Sequence, residues 1–336
     1  MTFIIQQTLL YAVPLMIVAL AGVFAERSGI INLALEGIMI FGAFIGVLFV
    51  RSMQDLDVFV NAARQGSWLT LQGLEIMAML VSAALGALFS LLLSFASINL
   101  KADQTIGGTA LNLMAPAMVL FLIRIIDGQN ILDMKTGDSA TWFMLKKSTF
   151  GIPKSQDIGF LGETFLNKVY LATYICILLF LVMSILLYKT RFGLRLRACG
   201  ENPQAADSLG INVYKMRYAG VLISGALGAI GGMAYIVPPV QTWNFEVGVA
   251  GAGFLAMAVM IFGQWKPFNI FGAAMFFAVF KSLANIADST FLAQLHWSSN
   301  IYNMMPFVAS MIILAFTSKN SMAPKAEGIP YDKGSR

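Results

Sequence analysis

Long apolar runs separated by short polar stretches organise this chain, and they fall at residues 3–23, 29–50, 76–98, 106–126, 168–188, 218–237, 247–263, 268–287 and 302–317. A run of about 20 apolar residues crosses roughly 30 Å of bilayer hydrocarbon as an α-helix, which satisfies its own backbone donors and acceptors where no water can. The pattern predicts an all-α, polytopic transmembrane helical bundle of about nine spans, the seventh and ninth short. These spans form one membrane domain over 1–317, followed by a tail at 318–336. The first run lacks the basic start of a cleaved signal peptide and is too long for its apolar region, so it reads as a true span.

The polar intervals orient the bundle. The densest basic cluster lies in the loop 189–217, with Lys189, Arg191, Arg195, Arg197, Lys215 and Arg217 against Glu201 and Asp207. By the positive-inside rule this loop is cytoplasmic. Four further spans return the chain to the same side, where the tail carries Lys319, Lys325, Lys333 and Arg336. Counting backward puts Arg27 and Lys101 inside, the N-terminus outside and 127–167 as an external loop. That loop holds Lys135, Lys146, Lys147 and Lys154, but long loops translocate with weaker regard to charge.

Composition narrows the chemistry. Hydrophobic residues make up 58% and charged residues 12%, so the net charge of +5 reflects orientation in a membrane rather than a nucleic-acid face. Cys176 sits in an apolar run and Cys199 in the basic loop, a placement that favours neither a disulfide nor a metal site. With His296 as the single histidine, imidazole catalysis and multi-histidine metal binding have almost nothing to work with. Gly42 and Gly46, Ser82 and Gly86, and Gly228 and Gly232 are small-residue pairs at helical spacing, which suit close packing within the bundle.

Polar residues inside spans are candidates for a solute pathway, because a charge at the bilayer centre costs about 2.5 kcal/mol or more and is seldom turned to lipid. Asn32 and Glu36 are predicted to share a helical face in the second span, and Thr109 and Asn112 a face in the fourth, near Pro116. In the eighth, Lys281, Asn285 and Asp288 form a stripe. Interhelical hydrogen bonding that holds the bundle together explains all three sets equally well. Trp243 and Phe245 offer a stacking surface or an interfacial anchor, and Trp142, Lys146, Lys147, His296 and Trp297 an external docking surface.

Within the basic loop, Asn202 is a good N-cap, Pro203 suits the first helical position and Gly210 suits a left-handed C-terminal cap. A helix of about two turns is predicted between them, with Gln204, Ala205, Ala206, Asp207, Ser208 and Leu209 as its body. Its small residues permit close approach by a partner, or it is a capped connector between spans.

ERSGIINLALEG at 26–37, TIGGTALNL at 105–113 and GLRLRACGENPQAADSLGINV at 193–213 together resemble the permease subunits of bacterial ATP-driven (ABC) importers for simple sugars and nucleosides. The resemblance is closest to the nucleoside branch that works with basic membrane lipoproteins. It implies a multi-pass protein of the bacterial cytoplasmic (inner) membrane. It also implies that 202–210 is the coupling helix received by a separate ATP-binding subunit, and that an extracytoplasmic lipoprotein delivers the solute. Permeases of this type often have ten spans with a cytoplasmic N-terminus; nine-span subunits that lack the first pair with a longer sister permease.

The chain contains no G-x-x-x-x-G-K-[ST] segment, so ATP and magnesium belong to the partner and this chain binds no cofactor of its own. An ion-coupled secondary transporter is the alternative, in which Glu36 or Asp288 would couple to the ion. A membrane enzyme lacks any nucleophile and base pair or metal-ligand cluster to support it.

Overall fold

The computed structural model describes residues 2–54, 56–65, 67–133, 142–153, 156–239, 242–245, 248–286, 299–317 and 322–334. It is overwhelmingly helical, as the apolar runs require. In chain order, helices α1 (Thr2–Arg27), α2 (Leu35–Gln54), α3 (Asp57–Gln65), α4 (Trp68–Ser94, continued by a π-turn at Phe95–Asn99) and α5 (Gln104–Asp127) come first. Strands β1 (Ile131–Asp133) and β2 (Met144–Leu145), helix α6 (Gly159–Phe165) and strand β3 (Val169–Tyr170) follow on the next polar interval. Then come α7 (Leu171–Lys189), α8 (Arg191–Glu201), α9 (Pro203–Ser208), α10 (Val213–Ile236), β4 (Thr242–Asn244), α11 (Ala252–Phe262), α12 (Pro267–Ile286) and α13 (Ser299–Thr317).

Among the described residues, seven helices are long and apolar enough to cross a membrane: α1, α2, α4 with its π-turn, α5, α7, α10 and α12. The predicted seventh span departs from expectation. Its helix, α11, has 11 residues, or about 16 Å at ~1.5 Å per residue, roughly half the hydrocarbon thickness. Its chain enters through an extended stretch that pairs β4 antiparallel with β1, placing Trp243 opposite Leu132. The third span is longer than its apolar core predicts, because α4 begins at Trp68 and draws Gln72 and Glu75 into the buried interior.

The centre of the bundle is made by α1 and α10, with α2 and α4 packed around α10. Lipid is as apolar as leucine, so close van der Waals contact, not burial from water, holds such a centre together. The glycines make that contact possible. A Cβ on Gly42 would lie 2.4 Å from the backbone of Ala229, and one on Gly232 would lie 2.0 Å from the carbonyl oxygen of Met39. A Cβ on Gly86 would lie 2.2 Å from that of Ala229, and Ser82 Oγ donates to the carbonyl of Gly42 at 3.0 Å. All of these approaches are between helices of one chain.

At the end of the bundle that carries β1–β4, an ion pair between Arg51 and Asp127 ties α2 to α5. Among the described residues of the interval 127–167, β2 pairs with β3, and Trp142 and Phe143 are buried.

Candidate functional site

The motif at 26–37 breaks the helix instead of forming one continuous span. α1 stops at Arg27, Gly29 takes a left-handed φ of +95°, and α2 starts only at Leu35. Ser28, Ile30, Asn32 and Ala34 are nonetheless fully buried, so their backbone groups need partners from other helices. Gln104 Oε1 accepts from the Ile31 amide at 2.7 Å. Asn112 accepts from the Gly37 amide at 2.8 Å and donates to the carbonyl of Leu33. Asn32 Nδ2 donates to Ser224 Oγ at 2.8 Å while its Oδ1 accepts from the Ala34 amide. The unwound segment is thereby stitched to α5 and α10. Gly108 allows the approach, since a Cβ there would lie 3.0 Å from Leu33 Cβ.

Glu36 is the charged member of this assembly. Its carboxylate accepts amide hydrogens from Gly251 at 3.1 Å, Gly253 at 2.6 Å and Phe254 at 3.4 Å. Gly251 is the N-cap residue of α11 and has no side chain to satisfy the first-turn amides. Glu36 supplies the missing acceptor from another helix, and the positive end of the α11 dipole favours its charge.

One expectation about a shared face is corrected. Asn32 precedes α2, so it and Glu36 do not lie on one helical face; they reach different helices because the segment between them is unwound. Thr109 is exposed, and its hydroxyl donates to the carbonyls of Thr105 and Ile106 in its own helix, while Asn112 turns inward to α2. Trp243 is also placed differently from a stacking platform: it is buried, its indole donates to the Gly248 carbonyl at 3.0 Å, and its ring packs edge-on against Phe245.

The basic loop forms two helices. α8 spans the RFGLRLRACGE segment, ahead of the capped helix that the sequence predicts. α9 follows, with Asn202 Oδ1 accepting from the Ala205 amide at 3.0 Å, Pro203 in the first turn and Gly210 at φ +80°. Asn202, Gln204, Ala205, Ser208 and Leu209 are exposed, and Asp207 is half-buried. Ala206 is not part of that open face. It is buried among Cys199, Val213 and Tyr331. Burial pushes the Cys199 thiol up to about 11, which leaves it unreactive.

The model of the branched-chain amino acid transport system permease component matches residues 4–315. The chain belongs to this permease family. It is similar over its full length to the guanosine ABC transporter permease protein NupQ of Bacillus subtilis, at 40% identity covering 100% of this chain and 98% of the relative. The nucleoside ABC transporter permease protein NupC of Lactococcus lactis is 38% identical, covering 98% and 96%. NupB of the same organism, also a nucleoside ABC transporter permease protein, is 24% identical, covering 83% and 71%. No solved structure gives a significant match.

In the permease, a cavity of about 540 Å³ opens between α1, α7 and the 165–170 segment. Gln6, Gln7, Tyr11, Tyr170, Tyr174, Tyr235 and Lys281 give its wall a polar and aromatic character. Tyr11 and Tyr235 stand 5.8 Å apart at 58°. Of the predicted pathway residues whose side chains are described, Lys281 alone lines this cavity. The side chain of Asn285, together with Asp288, His296 and Trp297, lies outside the described residues.

Sequence reasoning missed the tyrosines, since one Tyr in an apolar run reads as an ordinary membrane residue. It also missed Gln104 and Ser224, whose partner is backbone or a residue remote in sequence. Neither left a periodic signal.

Proposed function

We propose that the chain is one of two permease subunits of an ATP-driven importer for nucleosides, in the cytoplasmic membrane of a bacterium. The full-length similarity to two nucleoside permeases carries the solute assignment. The second, more distant permease found beside NupC in one organism supports a heterodimer. α12 and the shorter α11 and α13 would complete nine crossings, with the N-terminus outside and α8, α9 and the tail in the cytoplasm.

In this arrangement the tyrosine-lined cavity is the outer reach of the pathway, where a delivering lipoprotein releases solute. A base and ribose suit its mixture of rings and amides: ring faces take the base, and neutral donors and acceptors take the hydroxyls without binding tightly enough to slow release. Asn32, Glu36 and Asn112 then belong to the scaffold that shapes the path, each committed to a partner on another helix. Lys281, from α12, borders the path directly.

α9 is the coupling element. Its open face of Gln204, Ala205, Ser208 and Leu209 enters a groove on a separate ATP-binding subunit, which holds ATP and magnesium. Uptake of labelled nucleosides by cells lacking the gene tests the solute: loss of guanosine or other nucleoside uptake is expected, and undiminished uptake of all of them overturns it. Ala205→Arg tests the coupling face: the inserted protein should no longer copurify with the ATPase, and intact copurification with normal transport removes α9 from that role.

A further inference from the structure

The tail, charged and short of apolar residues, reads in sequence as a solvated end. Residues 322–334 instead run as a strap across the ends of several helices. Its amide at Met322 donates to Gln264 Oε1 at 3.0 Å, and that of Ala326 donates to the Gly200 carbonyl at 2.9 Å. Arg217, buried at the start of α10, donates to the carbonyl of Ile329 at 3.1 Å. Gly328, at φ +76°, passes so close that a Cβ would lie 2.9 Å from Ile31.

The strap's anchor is Tyr331. It is buried with Cys199, Ala206 and Val213, and its ring meets that of Tyr214 edge-on at 5.3 Å. Beyond it, Asp332 pairs with Lys101 at 2.6 Å, and Lys333 lies 3.8 Å from Asp207 of α9. The buried side of α9 therefore rests on Tyr331.

Between them lies an open groove of about 220 Å³. One wall is the first turn of α9, with Asn202, Pro203 and Gln204; the other is the strap, with Ala326, Ile329 and Pro330. Ile329 is 56% exposed on this wall, and Leu209 is 81% exposed at the far end of α9. A partner large enough to cover α9 meets the strap across this groove. An open apolar side chain on each element supplies the dry centre that a stable contact needs.

We infer that the strap and α9 form one composite docking surface for the importer's ATP-binding subunit, with Ile329 as a contact residue. The occupant is that subunit because the surface is continuous with the coupling face of α9, on which this inference rests.

A photo-crosslinking amino acid placed at Leu209, Ile329 or, as a control at the opposite end, the exposed Phe160 of α6 tests it in the intact transporter. Crosslinks to the ATPase from both 209 and 329, and none from 160, are expected. A crosslink from 209 alone overturns the strap's part while leaving α9 as the docking helix. Crosslinks from neither position overturn both, and capture of the sister permease at 329 overturns the strap's part alone. Independently, Ile329→Asp should leave membrane insertion intact and weaken ATPase retention by about tenfold or more. Unchanged retention counts against the inference.

Discussion

The carboxylate of Glu36 accepts the amide hydrogen of Gly253 at 2.6 Å, joining the start of α2 to the start of α11 across 217 residues of sequence. It caps a half-length helix that has no polar side chain at its own N-cap. Glu36→Ala is expected to leave three amides, that of Gly253 buried, without their acceptor, a cost of about 1–3 kcal/mol for a buried group that stays unsatisfied. Glu36→Gln keeps an acceptor oxygen and should recover most of the loss. Thermal unfolding of the purified permease in detergent separates the two, and equal damage would mean that the charge itself is required.

Backbone contact between α2 and α10 makes a sharper packing prediction. Gly42→Val would place a branched side chain where even an added Cβ would lie 2.4 Å from the Ala229 backbone, so folded yield should fall severely. Gly73→Ala has open space around its Cβ and should change nothing. Monodispersity on size exclusion reads both.

The strap should respond to pH. Burial raises the Glu327 carboxyl from its ordinary 4.5 to about 7; the charge of Arg27 and a hydrogen bond to Glu26 oppose the shift without cancelling it. A raised carboxyl pKa means the docked state holds the proton more tightly than the released one. Glu327's contribution to attachment is therefore fully present below about 4.5 and is lost progressively as pH rises towards 7. Hydrogen exchange across 324–332 should increase over that interval. Glu327→Gln should flatten the dependence, and an unchanged slope in that variant would assign it to another group.

Tyr11→Ala and Tyr235→Ala probe the outer cavity. Losing one ring contact with a base is worth about 0.5–1.5 kcal/mol, or roughly 2- to 10-fold in apparent affinity. Uptake measured against nucleoside concentration should show this in KM, with protein levels matched. A ring that serves only as packing would leave KM alone and lower the folded yield.

The length of the apolar runs made the long helices legible, because a membrane allows few other ways to satisfy a backbone. It failed where that rule is met from outside the segment. Residues 28–34 look like part of an apolar span, yet the Ile31 amide donates to Gln104 and the Leu33 carbonyl accepts from Asn112. α11 looks like a full crossing because the residues that turn into it, Gly248, Val249, Ala250 and Gly251, are small or apolar and extend the apolar run.

The caps of α9 were readable from Asn202, Pro203 and Gly210, since capping is local chemistry. Which side of α9 faces outward was not, because Tyr331, which covers Ala206, lies more than a hundred residues downstream. The tail's structure was invisible for the same reason: its order comes from Arg217, Lys101 and Gly200, not from its own composition.

Where Gly42, Gly86 and Gly232 let backbones touch, the middle of the bundle has no lubricating layer of side chains. Those helices have nothing to slide on and should turn together like a keyed shaft. Alternating access would then fall to α7 and α12 at the periphery, and spin labels placed there should change separation during turnover while pairs within the centre hold still.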